Sequence, residues 1–192
     1  MRMKLMHKWM SMGQNQSGQA LVEFMFCAFI VLFLLFGMID FCRSISTQQV
    51  IINLSREGAN LAARGSVASS TDGAISNAIA GVIAEASPLS ISSNGEVIIS
   101  AVYNNGESYV ITNQVSEGKL TLPSKLGTLN STINMPVVGG AKTATAVPQS
   151  NQTTFVAEVF YNFTPVTPLG NVLVGGLKGF TVTNQLYDAA YF

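Results

Sequence analysis

From Phe24 to Ile39 every residue is apolar or glycine, and Glu23 stands immediately before that run. Ala20 to Val22 extend it to about 20 residues, the length a helix needs to cross the roughly 30 Å hydrocarbon core of a bilayer. A secretory signal peptide has the same order of basic then apolar residues. Its apolar region runs about 7 to 15 residues and ends in an A-x-A-like site, and neither property holds here. Arg2, Lys4 and Lys8 precede the run with no acid beside them. Because basic flanks stay in the cytoplasm, the N-terminus is expected inside and the chain beyond about Phe41 outside.

Helical patterning continues past the membrane run. Val50, Leu54, Leu61 and Ala62 form an i, i+4, i+7 stripe across 44–64, with Gln48, Gln49, Arg56 and Asn60 at polar positions and Gly65 as the expected C-cap. A second helix is expected from Asp72 to Ala86, with Thr71 or Asp72 as N-cap, apolar positions at Ala74, Ala78, Val82 and Ile83, and Pro88 beyond its end. Val97–Tyr103 and Tyr109–Thr112 flank Asn104-Asn105-Gly106-Glu107, a hairpin signal because Asn-Gly tolerates positive φ. Thr153 to Phe163 alternates, with Phe155, Ala157, Val159, Tyr161 and Phe163 on one face, and Phe180–Tyr187 is the expected last strand. The Gly-, Thr- and Ser-rich stretch from Gly118 to Gln152 is long for a loop; it is either a surface excursion with short strands of its own or a mobile segment.

The fold class is therefore α+β: a long N-terminal helix, half transmembrane and half amphipathic, packed on a small antiparallel sheet domain with one further helix. The expected units are a leader at 1–18, a transmembrane helix at 19–41, its extension at 42–65 and a folded domain at 66–192. Charged residues make up 10% of the chain, against about 25% in typical soluble proteins. Ser, Thr, Asn, Gln and Gly must solvate the surface. Without 1–18 the chain keeps seven basic against ten acidic side chains, and a nucleic-acid partner is not expected because phosphate binding needs clustered Lys and Arg.

Little in the sequence supports catalysis or a cofactor. The single histidine, His7, lies in the expected leader, and no HExxH, CxxC or phosphate-loop pattern occurs. Glu96 and Glu107 are a formal carboxylate pair, far more often two surface acids than a dyad. No catalytic, cofactor or metal residue is therefore assigned. Cys27 and Cys42 fall about 22 Å apart along one helix, beyond bridging distance within a chain. They are read as small apolar fillers, with an intersubunit bond through Cys42 as the alternative. Asn-x-Ser/Thr matches at Asn53, Asn130, Asn151 and Asn162 are read as chance.

Glu23 is the costly residue. A central Asp costs roughly 2.5 to 3.5 kcal/mol on insertion scales, less near an interface, so a special role is the default suspicion. The stretch Ser17-Gly18-Gln19-Ala20-Leu21-Val22-Glu23-Phe24 resembles the type IV prepilin processing motif, in which a peptidase cuts after glycine and the fifth mature residue is glutamate. Together with Leu35-Phe36-Gly37-Met38-Ile39-Asp40-Phe41 and Arg56-Glu57-Gly58-Ala59, it is similar to the TadE-like family, the minor pseudopilins of tight-adherence (Flp) pili. Val156–Phe163 followed by Thr164–Leu169 is similar, in a general way, to the family's C-terminal half.

The resemblance implies a processing site at Gly18 and Gln19 and subunit assembly through Glu23 and Phe24. Glu23 would receive a neighbouring subunit's new terminal amine; otherwise it is a snorkelling or protonated carboxylate near the interface. Gln19 replaces the Phe of the best-known type IV pilins, as is normal for the tight-adherence group. Helix docking at Asp40, Arg56 and Glu57 is the family reading of residues that also fit a plain return of polar side chains where lipid ends. The implied partners are other pilins or pseudopilins, the prepilin peptidase, the inner-membrane pilus platform and the lipid bilayer. The implied place is the bacterial inner membrane, single-pass, with the C-terminal domain periplasmic and supporting pilus biogenesis, adhesion or secretion. The competing reading is a monomeric, signal-anchored periplasmic binding domain with no pilus.

Overall fold

The computed structural model describes residues 16–68, 71–133, 151–168 and 184–192. A single unbroken helix, α1 (Gln16–Ala68, 53 residues), carries both the apolar run and its extension. Its first half buries almost nothing, because every residue from Gly18 to Leu35 is exposed. Its second half lies on an antiparallel sheet of five strands: β1 (Gly95–Asn104), β2 (Tyr109–Gly118), β3 (Thr132–Ile133), β4 (Thr153–Asn162) and β5 (Gln185–Tyr191), in the order β3-β2-β1-β4-β5. Helix α2 (Thr71–Glu85) runs back beside α1, and a four-residue helix α3 (Ile91–Asn94) leads into β1. α1 packs on β4 and β5, α2 on β1 and β2, and the two helices on each other. The architecture is the expected α+β arrangement, with α3 as a small addition.

The face of α1 that meets the sheet is rotated from the expected stripe. Thr47, Ile51, Leu54, Ser55, Gly58, Ala59 and Ala62 are buried, while Val50 and Leu61 are only half-buried. Large apolar residues dominate a hydropathy pattern, yet small ones let a helix approach a sheet closely, and here small residues face the sheet. A Cβ on Gly58 would stand 3.0 Å from Val82 Cγ2, 3.3 Å from Ala157 Cβ and 3.6 Å from Ile99 Cδ1. Gly65 does not end the helix. Its missing Cβ would sit 3.1 Å from the Cβ and 3.2 Å from the Cα of Ala74, so its role is to let α2 return close to α1, which continues to Ala68. Gly58→Val is expected to destabilise the domain by about 1–3 kcal/mol through overpacking. Gly37→Ala, whose added Cβ meets nothing within 4 Å, is the control. Urea titration of the detergent-solubilised chain, read by protease resistance, compares them, and equal midpoints would refute this account of the interface.

α2 starts at Thr71, one residue before the expected position, and buries Ala74, Ile75, Ala78, Ile79 and Val82. The β1–β2 hairpin forms as expected: Gly106 adopts φ 96°, and Asn105 Oδ1 accepts from the Glu107 and Ser108 amides at 3.0 and 2.7 Å. Glu107 thus sits at the hairpin tip and Glu96 near the opposite end of β1, about 30 Å away at strand spacing, so the two carboxylates form no pair. In β4, Phe155, Ala157 and Val159 face the helices opposite Ala101, Ile99 and Val97, as the alternation predicts. Among the described residues the last strand is Gln185–Tyr191, running four residues beyond the expected end at Tyr187. β4 supplies backbone partners that far along, ending in reciprocal 2.9 Å bonds between Phe155 and Phe192, so pairing overrides the weak strand preference of Asp188-Ala189-Ala190. Residues 180–183 and 134–150 lie outside the described residues.

The central strands β1 and β4 are buried on both faces, which their sequences do not announce. After β2, residues 119–131 cross the face opposite the helices before β3 pairs with β2. Two buried carboxylates hold that crossing. Glu96 accepts the Leu122 amide, and Glu158 accepts the Lys125 amide at 3.0 Å, the Ser124 hydroxyl and the Tyr187 hydroxyl at 2.9 Å. Gln114 Nε2 adds bonds to Ser100 Oγ at 2.9 Å and Gly127 O at 3.1 Å.

Candidate functional site

The residues that the sequence marks as functional are spread along α1, not gathered in one cleft. Gly18, Gln19, Glu23 and Phe24 lie on its first turns and all are exposed, Phe24 by 72%. On an α-helix, five positions advance about 7.5 Å, so Gly18 and Glu23 are more than one turn apart. Among the described residues nothing lies within 4 Å of the space a Cβ on Gly18 would take. Among the described residues, none of the domain packs on the helix from Gly18 to Leu35.

Asp40 lies where the apolar run ends, and its carboxylate is occupied. Oδ1 accepts the amides of Val166 at 3.0 Å and Thr167 at 3.3 Å, and Oδ2 accepts the Thr167 hydroxyl. These bonds tie the turn after β4 to the helix at its point of entry into the domain. One turn further, the Arg43 guanidinium stands 5.8 Å from the centroid of the Phe163 ring. Asp40 thus binds a segment of its own chain.

The Arg56-Glu57-Gly58-Ala59 stretch divides by direction. Gly58 and Ala59 are buried against the sheet and α2, Arg56 is exposed and Glu57 half-buried. Arg56 and Glu57 border a cleft of about 720 Å³ with Asn53, Asn60, Glu85 and Tyr191, in which Asn60 Oδ1 is buried without a hydrogen-bond partner among the described residues. The helix-to-sheet junction also holds polar contacts that periodicity does not reveal. Ser55 Oγ donates to Asp188 Oδ2 at 2.5 Å, and Gln48 Nε2 donates to the Tyr187 carbonyl at 3.2 Å. Asp188 is legible only in retrospect, as an acid at the inward parity of β5, opposite Val159.

On the far face, Tyr187 is held by burial first and by the Glu158 carboxylate second, and its phenol is pushed well above its ordinary pKa. Lys125 Nζ lies 3.5 Å from the same ring's centroid. Among the described residues no group of three or more His, Cys, Asp or Glu is placed to hold a metal ion. Cys27 and Cys42 are both free and exposed.

One half of a helix fully exposed and strongly apolar, and the other half fitted to a sheet through Gly58, is the geometry on which a comparison with known families bears. The model of the family described as TadE-like protein matches residues 18–60. Residues 18–60 are similar to that family. The match runs over Gly18–Phe24, Leu35–Phe41 and Arg56–Ala59, and it does not reach the Val156–Leu169 stretch likened to the family's C-terminal half. It covers the membrane-length run and the part of α1 seated on the sheet, and none of the strands. Comparison with curated proteins and with solved structures returned no match. A TadE-like segment suggests involvement in the tight-adherence pilus system, and with a single apolar N-terminal helix it suggests membrane anchoring.

Proposed function

We propose that this chain is a minor pseudopilin-like component of a tight-adherence (Flp) pilus assembly system. A prepilin peptidase removes 1–18, Gln19 becomes the mature N-terminus, and Glu23 receives the terminal amine of a neighbouring pilin or pseudopilin. The helix holds the protein in the inner membrane beside the pilus platform. The α+β domain faces the periplasm, and its task is pilus biogenesis in support of adhesion or secretion, without catalysis of its own. The observation that carries this reading is the Gly18-to-Glu23 spacing at the head of a helix whose first half, among the described residues, meets no part of its own domain. Free apolar surface of that length needs lipid or other helices, and a carboxylate within it needs a donor.

Intact mass of membrane-extracted protein is the direct test. Co-expression with the peptidase is expected to yield a chain beginning at Gln19, and Gly18→Val to leave the long form. A wild-type chain that keeps its leader beside an active peptidase overturns the processing step. The cleft beside Asn60 favours a second reading, an anchored periplasmic binding domain acting alone. Neighbouring genes for a secretion ATPase, two platform proteins and a prepilin peptidase favour assembly, and their absence favours the binding domain.

A further inference from the structure

The sixteen residues from Phe24 to Ile39 rise about 24 Å as a helix, some 6 Å less than a typical hydrocarbon core. Counted from Ala20, about 30 Å of helix ends near Ile39, and counted from Glu23 it ends near Arg43, so the outer boundary falls between them, at the level of Asp40. The helix surface agrees: Phe41 is 67% exposed and Ile45 44%, so apolar side chains continue outward past Asp40. Asp40 itself is turned to the turn formed by Thr164-Pro165-Val166-Thr167-Pro168, which therefore stands at the same depth as the end of the span.

That turn has the chemistry of a segment that can enter a membrane interface. Unpaired backbone N–H and C=O groups both keep irregular chain out of the hydrocarbon core, so such a turn reaches no deeper than the interface, where water still serves its carbonyls. Between 165 and 168 no N–H is left to pair: the Val166 and Thr167 amides are bonded to Asp40, and Pro165 and Pro168 have no N–H. The Val166 side chain is 65% exposed, although a valine on a soluble domain's turn gains nothing from water. Arg43, exposed and stacked near Phe163, supplies a cation about one turn above.

We propose that the Thr164–Pro168 turn is a second membrane contact of this protein. Val166 enters the outer headgroup and acyl boundary of the phospholipid bilayer that α1 crosses, and Arg43 faces the lipid phosphates. Asp40 is the positioning residue that holds the turn to the helix. The consequence is a domain fixed against the membrane at the β4 end, with the β1–β2 hairpin pointing away. The proposal rests on the reading of α1 as a membrane span.

The test uses the full-length chain carrying Cys27→Ser and Cys42→Ser, with one added cysteine per variant: Val166→Cys, Phe33→Cys or Glu107→Cys. Each is labelled with an environment-sensitive fluorophore and reconstituted in phosphatidylethanolamine–phosphatidylglycerol vesicles containing lipids with quenchers at shallow or deep acyl positions. The label at 166 is expected to be quenched at least about twofold, and more by the shallow quencher. The label at 33 should respond to the deep quencher and that at 107 to neither. Quenching at 33 without quenching at 166 overturns the second contact and leaves the span intact. No quenching at 33 refutes the span itself. A shielded label at 166 that no lipid quenches and that becomes exposed as protein is diluted in lipid shows a second copy covering the turn, which also overturns the proposal.

Discussion

Glu158→Ala is expected to destabilise the folded domain by about 2–4 kcal/mol, because it strips three donors of one acceptor at once. The carboxylate is fully buried, and it takes the Ser124 and Tyr187 hydroxyls and the Lys125 amide. Burying a charge is unfavourable by itself, so removing it returns part of the loss. The orphaned Lys125 amide and the void behind it tip the balance. Glu158→Gln keeps the shape and an accepting oxygen, and its effect should be about half as large. Urea unfolding read by protease resistance measures both, and hydrogen exchange should rise first in 119–131, the segment that Glu158 pins. Unchanged exchange there in Glu158→Ala would contradict the assignment.

The same carboxylate shapes the alkaline limit. Burial and Glu158 raise the pKa of Tyr187 in the folded state, so its stabilising contribution is complete below the unfolded value of about 10 and declines as pH rises beyond it. Removing the Glu158 charge should make that decline shallower. It should not abolish it, since burial is the larger cause.

Glu23→Gln carries the largest functional effect. If Glu23 only marks the membrane boundary, the substitution removes a costly charge, and insertion and activity are unchanged or improved. If it receives the Gln19 amine of a neighbouring subunit, the substitution abolishes a pairing that exists only in the assembly. Leader cleavage and membrane insertion should then persist while surface pili, or cross-links to partner pilins, fall to background. The structure bears on the choice through exposure: Glu23 lies on a helix segment in which every neighbour is also exposed, so its replacement leaves the domain's own packing untouched. Stable, processed, membrane-inserted Glu23→Gln protein with normal pili would refute the intersubunit role and favour the anchored binding domain.

Local chemistry made several elements readable. The apolar run, the helix from Thr71, the Asn105-Gly106 hairpin and the inward face of β4 each follow from residues adjacent in sequence, because helix and strand periods are local properties. The rotated face of α1 was less legible. Ser55, Gly58, Ala59 and Ala62 carry too little apolar surface to register in a pattern, yet their size sets how closely the helix meets the sheet. Gly65 misleads for a related reason, since a glycine that ends a helix and one that admits a neighbour look the same until the neighbour is placed.

The sequence by itself determined that this chain holds one membrane-length helix with an acid at its head, followed by an α+β domain, because hydropathy and turn chemistry act within a few residues. Only the tertiary structure decided what the acids do. Asp40 reaches a turn 126 and 127 positions away, Glu158 a hydroxyl 34 positions away and Asp188 a serine 133 positions away. A carboxylate's role depends on which donors the fold brings to it, and that information is carried by the register of β4 and β5 beneath α1, not by the residues beside it.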